Sequence, residues 1–392
     1  MSRDFRLLLL STVAAFSCFA PLLSVVPLWA ADGGAASGGV GATTGVMMVG
    51  TVAIQLAMPR ILRYVTLRRA SAIGALLLGV PTWAYLVSPA VGWVLAVSAV
   101  RGVGFGILVV AGSALVAELV PPERQGRGLG AYGVAIGLPQ VVLLPAGVWA
   151  VEHVGFAAVF TVTGAAGVLG AAVVLAIRES GRTSRSAGMV APDADDDATP
   201  GEARPVRYRT LAGSGVLLLV ASCAFGGATS FVPLAFSAST ASLVLLTISV
   251  AGTVGRWWAG VRADSEGVGG LLPFGIAACA VGTLGIAAGA GLLGGALAVV
   301  TAAVAGLVYG LGFGALQNDT LVLMFRQAGP GGHGTASAAW NMAYDGGTGT
   351  GSLGVGLVAQ GIGLSGALGA SALPLVACLP YAVRRARALR SR

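Results

Sequence analysis

The sequence predicts an all-α integral membrane protein of twelve transmembrane helices arranged as two parallel six-helix repeats, and three observations carry that prediction. Of 392 residues, 56% are hydrophobic and 10% charged, against about 25% charged in an ordinary soluble domain; mean hydropathy is +0.87. Apolar runs of about 20 residues recur from end to end, each long enough to cross about 30 Å of hydrocarbon. Short motifs of the first half also return in the second at a nearly constant offset. With 62 Gly in the chain, small residues are available for the close contacts of membrane helices.

The apolar windows place spans at 7–31, 39–58, 70–88, 92–119, 129–150 and 155–177, then at 211–235, 239–259, 270–290, 295–325, 335–359 and 363–383. The first follows Arg3 and Arg6 as a signal peptide would, but it is too long for an h-region and the topology needs it as a span. Residues 178–210 are polar, contain Pro and carry Asp193, Asp195, Asp196 and Asp197, followed by Arg204, Arg207 and Arg209. They read as a solvated cytoplasmic linker between an N-terminal half, 1–177, and a C-terminal half, 211–392.

All basic residues are Arg. They cluster before span 1, after spans 2, 4, 6, 8 and 10, and after span 12, whereas the connections at 32–38, 88–92, 152–155, 237–240, 291–295 and 361–365 contain none. The positive-inside rule then puts both termini in the cytoplasm of a cell with the protein in its cytoplasmic membrane. It also explains the net charge of +8 without a nucleic-acid partner. Cys18, Cys223, Cys279 and Cys378 lie in separate apolar runs, so packing is their expected role.

The repeat is read from three matches. Pro27-Leu28-Trp29 returns as Pro233-Leu234-Ala235; Gly102-Val103-Gly104-Phe105-Gly106 returns as Gly310-Leu311-Gly312-Phe313-Gly314; the loop opening at Pro59-Arg60 returns at Gly260-Val261. Six spans per half in parallel repeats suit an alternating-access carrier with its substrate site between the halves.

Ionisable groups deep in the spans are few. Arg101 lies in span 4, Asp319 in span 10 and Asp345 in span 11. A charge at bilayer depth costs about 2.5–3.5 kcal/mol on insertion scales, so such residues face a cavity or a partner. Trp340, Asn341, Tyr344 and Asp345 fall at i, i+1, i+4 and i+5, on one helical face. That face, with Gln317 and Asn318 of span 10, must look into protein or water. Asp345 sits about 15 Å along its helix, near the midplane, and Gly346 and Gly347 follow it. It is the expected proton carrier, with Arg101 and Asp319 as further coupling candidates.

On these residues the chain resembles the major facilitator superfamily over nearly its whole length. The superfamily's cytoplasmic signature, G-x-x-x-D-x-x-G, is lost in the first half, where residues 59–69 lack both Gly and Asp, and kept in the second as Gly260, Asp264 and Gly267. The resemblance implies a gating role for those three, with Asp264 expected at the start of span 5 near residues 128–131. Arg101, with Gly104 and Gly106 nearby, is similar to the superfamily's intramembrane Arg and is expected to face the central cavity. Gly133, Gly137 and Pro139 resemble its exporter motif with one residue inserted, and are expected at the gate. Because spans 1, 4, 7 and 10 surround the cavity in the superfamily, Ser24, Phe225 and Phe231 join Arg101, Gln317, Asn318, Trp340, Asn341 and Tyr344 as expected lining.

The function these readings imply is secondary active transport, with a proton gradient as driving force and no cofactor or metal. Proton-coupled export of small, partly apolar or weakly cationic molecules is expected from the exporter motif and the aromatic and amide lining. An uptake or sugar-efflux carrier is the alternative within transport; a transporter-like receptor or an enzyme of lipid-linked substrates is the alternative outside it. No nucleotide-binding, zinc or hydrolase pattern is present, with His153 and His333 placed apart in loops. The expected partners are a small-molecule substrate and the bilayer, and a monomer is expected.

Overall fold

A computed structural model describes residues 2–121, 124–178, 208–266, 269–329 and 332–390. Helices account for all the regular structure among them. The first half contains α1 (Arg3–Phe19), α2 (Leu22–Asp32), α3 (Ser37–Ile61), α4 (Leu67–Ala84, extended by a 3-10 turn at Tyr85–Val87), α5 (Val91–Leu119) and α6 (Gln125–Leu175). The second contains α7 (Tyr208–Ala235), α8 (Ala238–Glu266), α9 (Leu272–Gly291), α10 (Gly295–Ala328), α11 (His333–Ala370) and α12 (Ala372–Arg390). Most of the expected linker, 179–207, lies outside the described residues.

Four boundaries differ from the sequence reading, each for a local reason. The first span is broken between α1 and α2 at Pro21, where the ring removes a backbone donor. Spans 5 and 6 run together as α6, turned at Gly155 (φ 80°, ψ 165°), a conformation open to Gly. Spans 11 and 12 behave likewise: α11 is turned at Gly363 (φ 75°, ψ 171°) and ends only at Ala370. Finally, α8 continues to Glu266, so residues 260–266 are helical rather than a loop. His153 also lies within α6, with its ring stacked on Trp149 at 4.1 Å.

Among the described residues, ten stretches are long and apolar enough to cross a membrane. Two of them, 46 and 56 residues long, would each reach more than twice the thickness of a hydrocarbon core if straight. The Gly155 and Gly363 turns fall inside these two.

Packing repeats between the halves. A side chain at Gly102 would strike the Met47 carbonyl and one at Gly106 that of Thr51; the corresponding Gly310 and Gly314 press on the carbonyls of Ile248 and Gly252. Gly74 meets Gly104 across α4 and α5 as Gly275 meets Gly312 across α9 and α10. Phe19 stacks on Phe105 with centroids 3.8 Å apart, and Phe225 on Phe313 at 5.1 Å. The motif that repeats in sequence is thus a backbone-to-backbone contact that repeats in space, and small residues are what permit it.

Candidate functional site

The two halves meet along a seam in which α3 runs antiparallel to α11. From Ser37 to Met48 on α3 it is closely packed. Gly356 packs on the Ser37 carbonyl, Gly41 on that of Ser352, and Gly349 on Met48. Hydroxyl groups satisfy one another there: Ser352 donates to the Gly41 carbonyl (3.0 Å) and to Ser230 Oγ (2.7 Å), Thr44 and Ser230 are 3.2 Å apart, and Ser24 donates to the Thr229 carbonyl (2.8 Å). Phe231, expected to line the cavity, is instead 1% exposed within this seam, packed with Val40 and Val355. In this structure it is a packing residue of the seam, where an apolar ring from α7 finds apolar partners.

At the other end of the seam, beside Gln55 of α3, stands Asp345. Its carboxylate is buried and accepts a hydrogen bond from Gln55 Nε2 of α3 at 2.9 Å. The other end of that amide, Gln55 Oε1, is buried without a partner. Next to Asp345 an aromatic column begins: Trp340 stacks on Tyr344 (5.7 Å), Tyr344 on Phe313 (6.0 Å), and Phe225 lies 6.1 Å from Tyr344. Tyr309 continues it at 5.6 Å from Phe313 and donates to the Ala221 carbonyl.

Polar groups of α10 and α8 close the arrangement. Gln317 is buried and accepts from Arg256 Nη2. Arg256 is also within electrostatic reach of Tyr344. Trp340 Nε1 donates to Thr320 Oγ1 (3.2 Å), and Asn341 turns back to the Ser337 carbonyl of its own helix (2.9 Å). Asn318 leaves its Nδ2 buried without a partner and faces Gly260 of α8 across ordinary contact distance.

Two expected coupling residues have closed surroundings in this structure. Arg101 is 1% exposed. Its guanidinium donates to the carbonyls of Leu78 and Cys18 and to Tyr85 Oη, and lies 5.5 Å from the Tyr85 ring. It ties α5 to α4 and α1 inside the first half, with Tyr85 held in turn by Ser98 (2.8 Å). Asp319 is 2% exposed and accepts from the Leu271 backbone N–H at 3.0 Å, at the start of α9. A carboxylate there compensates free N–H groups and the helix dipole, which is an anchoring role.

The gating residues divide. Gly133 and Gly137 have open space where a side chain would be, so they do not bring helices together here, and Pro139 is buried within α6. Asp264 lies in the last turn of α8, but its side chain, and Gly267 entirely, fall outside the described residues, as does the expected contact of Asp264 with span 5.

Sequence reasoning missed Gln55 and Arg256. By sequence Arg256 stands three residues before the expected end of span 8 and groups with Arg262 as a cytoplasmic cluster; α8 runs to Glu266, which sets it about 15 Å inside the helix end. For Gln55 the signal was an amide in an apolar run, five residues before the basic cluster begins.

Residues 7–352 match the family described as Major Facilitator Superfamily. The chain belongs to that superfamily. No curated protein matches it closely enough to be counted. Among solved structures it is similar to a bacterial homolog of the human lysosomal transporter Spinster in an inward-facing and occupied conformation, at 13% identity and TM-score 0.74, over 99% of this chain and 98% of that one. It is also similar to a peptide transporter, POT, in complex with alafosfalin (15%, TM-score 0.73, 100% and 96%) and to the nucleoside transporter NupG (13%, TM-score 0.70, 100% and 99%). At these identities the likeness establishes the fold. The chain is a multi-pass membrane transporter and not an enzyme.

Proposed function

We propose that the protein is a proton-coupled exporter of small, partly apolar molecules, working by alternating access in the cytoplasmic membrane with both termini inside. Counting the two turned stretches as two crossings each gives twelve spans, and with the termini inside the close seam lies toward the outer face and Asp345 on its cytoplasmic side. The observation that carries the reading is the Gln55–Asp345 contact, a carboxyl group joining the two halves at the inner end of that seam.

Its chemistry gives a direction to the coupling. As a carboxylate, Asp345 accepts from Gln55 Nε2 and leaves Gln55 Oε1 unpartnered. As an acid, its O–H can donate to that oxygen, completing a two-bond ring between acid and amide. A buried unpaired acceptor costs about 1–3 kcal/mol, within the range of coupling energies between sites. Protonation therefore favours the closed outer seam, and loss of the proton to the cytoplasm loosens it. Cargo bound beside Asp345 would then leave outward while the next proton enters, which is antiport.

Proteoliposomes with trapped pyranine and an imposed pH gradient test this with a drug and metabolite panel. A transported solute should discharge the gradient in the wild type. Asp345→Asn should abolish that discharge while retaining solute binding. An Asn variant discharging at the wild-type rate would overturn the assignment.

A further inference from the structure

The strongest feature the coupling reading leaves unused is Arg256. Its side chain is exposed, and from α8 its guanidinium reaches the buried Gln317 of α10 and lies within electrostatic reach of Tyr344. Its guanidinium has five N–H donors, and among the described residues its hydrogen-bond acceptor is Gln317 Oε1, bonded through Nη2. Among the described residues no carboxylate is paired with it. The protein's other deeply placed guanidinium, Arg101, has its donors spread over two carbonyls and a phenol, with no exposed surface to offer.

We propose that Arg256 binds the carboxylate of a monoanionic substrate whose aromatic or apolar body lies along Trp340 and Tyr344. A guanidinium matches a carboxylate with two parallel hydrogen bonds, and Gln317 holds one of its amines so that the fork is oriented beforehand. The single guanidinium matches the single charge of a carboxylate, whereas a phosphate dianion would bring a second negative charge toward the buried Asp345, which burial disfavours. The Trp340–Tyr344 stack, 5.7 Å between centroids, supplies a flat apolar surface next to that cation. This departs from the sequence expectation of apolar or weakly cationic cargo. It rests on the reading of the chain as a transporter with its site beside the seam.

Three probes that share a ring separate the outcomes: phenylacetate, the neutral phenylacetamide and the cationic phenethylamine, titrated calorimetrically into the purified full-length protein in detergent, with empty micelles as reference. Phenylacetate should bind about tenfold or more tightly than phenylacetamide, with phenethylamine weakest, as charge-assisted bonds allow. Phenyl phosphate should gain nothing over phenylacetate. Arg256→Gln should remove the preference between acid and amide, and Arg256→Lys, which keeps the charge and loses the fork, should retain part of it. The proposal is overturned if none of the anions binds, if the amide or amine binds as well as the acid, if phenyl phosphate is preferred, or if Arg256→Gln keeps the preference. These measurements are made without a gradient. A preference for phenylacetate combined with absent proton discharge would retract the coupling alone, and discharge without the preference would retract this inference alone.

Discussion

A guanidinium inside a helix bundle can be held by being used up or by being left open to a partner, and the chain contains both cases. Arg101 sits among the Leu78 and Cys18 carbonyls and Tyr85, with almost no surface; Arg256 is held by Gln317 and remains exposed. The difference predicts accessibility. In a background with Cys18, Cys223, Cys279 and Cys378 replaced by Ala, Arg256→Cys should react with a charged methanethiosulfonate added from the cytoplasmic side, and Arg101→Cys should react about tenfold more slowly or not at all, since thiol reactivity follows exposure. Equal labelling of the two would contradict the placement of Arg101. The sequence made Arg101 conspicuous because it stands alone in an apolar run, but the same cost of burial is met by a cavity or by three polar neighbours, and spacing does not distinguish them. Asp345 was legible from the i, i+4 pattern of its helix face. Its partner Gln55 was not, because that contact joins residues 290 apart in the chain.

At the scale of elements, the repeated glycines of α5 and α10 are the contacts on which each half is built. Met47 and Ile248 bring their carbonyls against Gly102 and Gly310, leaving no volume for a side chain. Gly102→Val or Gly310→Val should lower stability by about 1–3 kcal/mol through overpacking, seen as a fall in the thermal unfolding midpoint of the purified protein. Gly133 and Gly137 of α6 face open space, so Ala at either should leave the midpoint unchanged or raise it, the intrinsic helix preference for Ala over Gly being about 1 kcal/mol. A loss at Gly133→Ala matching that at Gly102→Val would mean α6 is packed more closely than described. The repeat itself was legible because close backbone approach demands small residues at fixed intervals, and that demand is written into both halves. Helix ends were less so: α8 extends past its apolar window to Glu266 and α6 passes through Gly155, since hydropathy marks where lipid is and backbone hydrogen bonding continues beyond it.

The whole molecule is two similar halves with dissimilar tasks. Where the second half has Tyr309 and Asp319, the matching positions of the first hold Arg101 and Ala111. The first half thus carries its cation as an internal tie, while the aromatic column, Asp345 and Arg256 all belong to the second, and Gln55 reaches across to them. In the export cycle proposed above the outer seam opens to release cargo, and the hydroxyl cluster of Thr44, Ser230 and Ser352 is where that opening would separate the halves. Thr44 and Ser230 hydroxyls are 3.2 Å apart, near enough that cysteines in their place should form a disulfide under mild oxidation. In the cysteine-free background, oxidised Thr44→Cys/Ser230→Cys protein should lose pyranine discharge and recover it on reduction, while each single variant remains active in both conditions. The locked protein should still bind phenylacetate from the cytoplasmic side, because the Arg256 site lies inward of the seam. Undiminished transport by the oxidised double variant would show that the halves do not part along α3 and α11, and the path of cargo would have to be sought elsewhere.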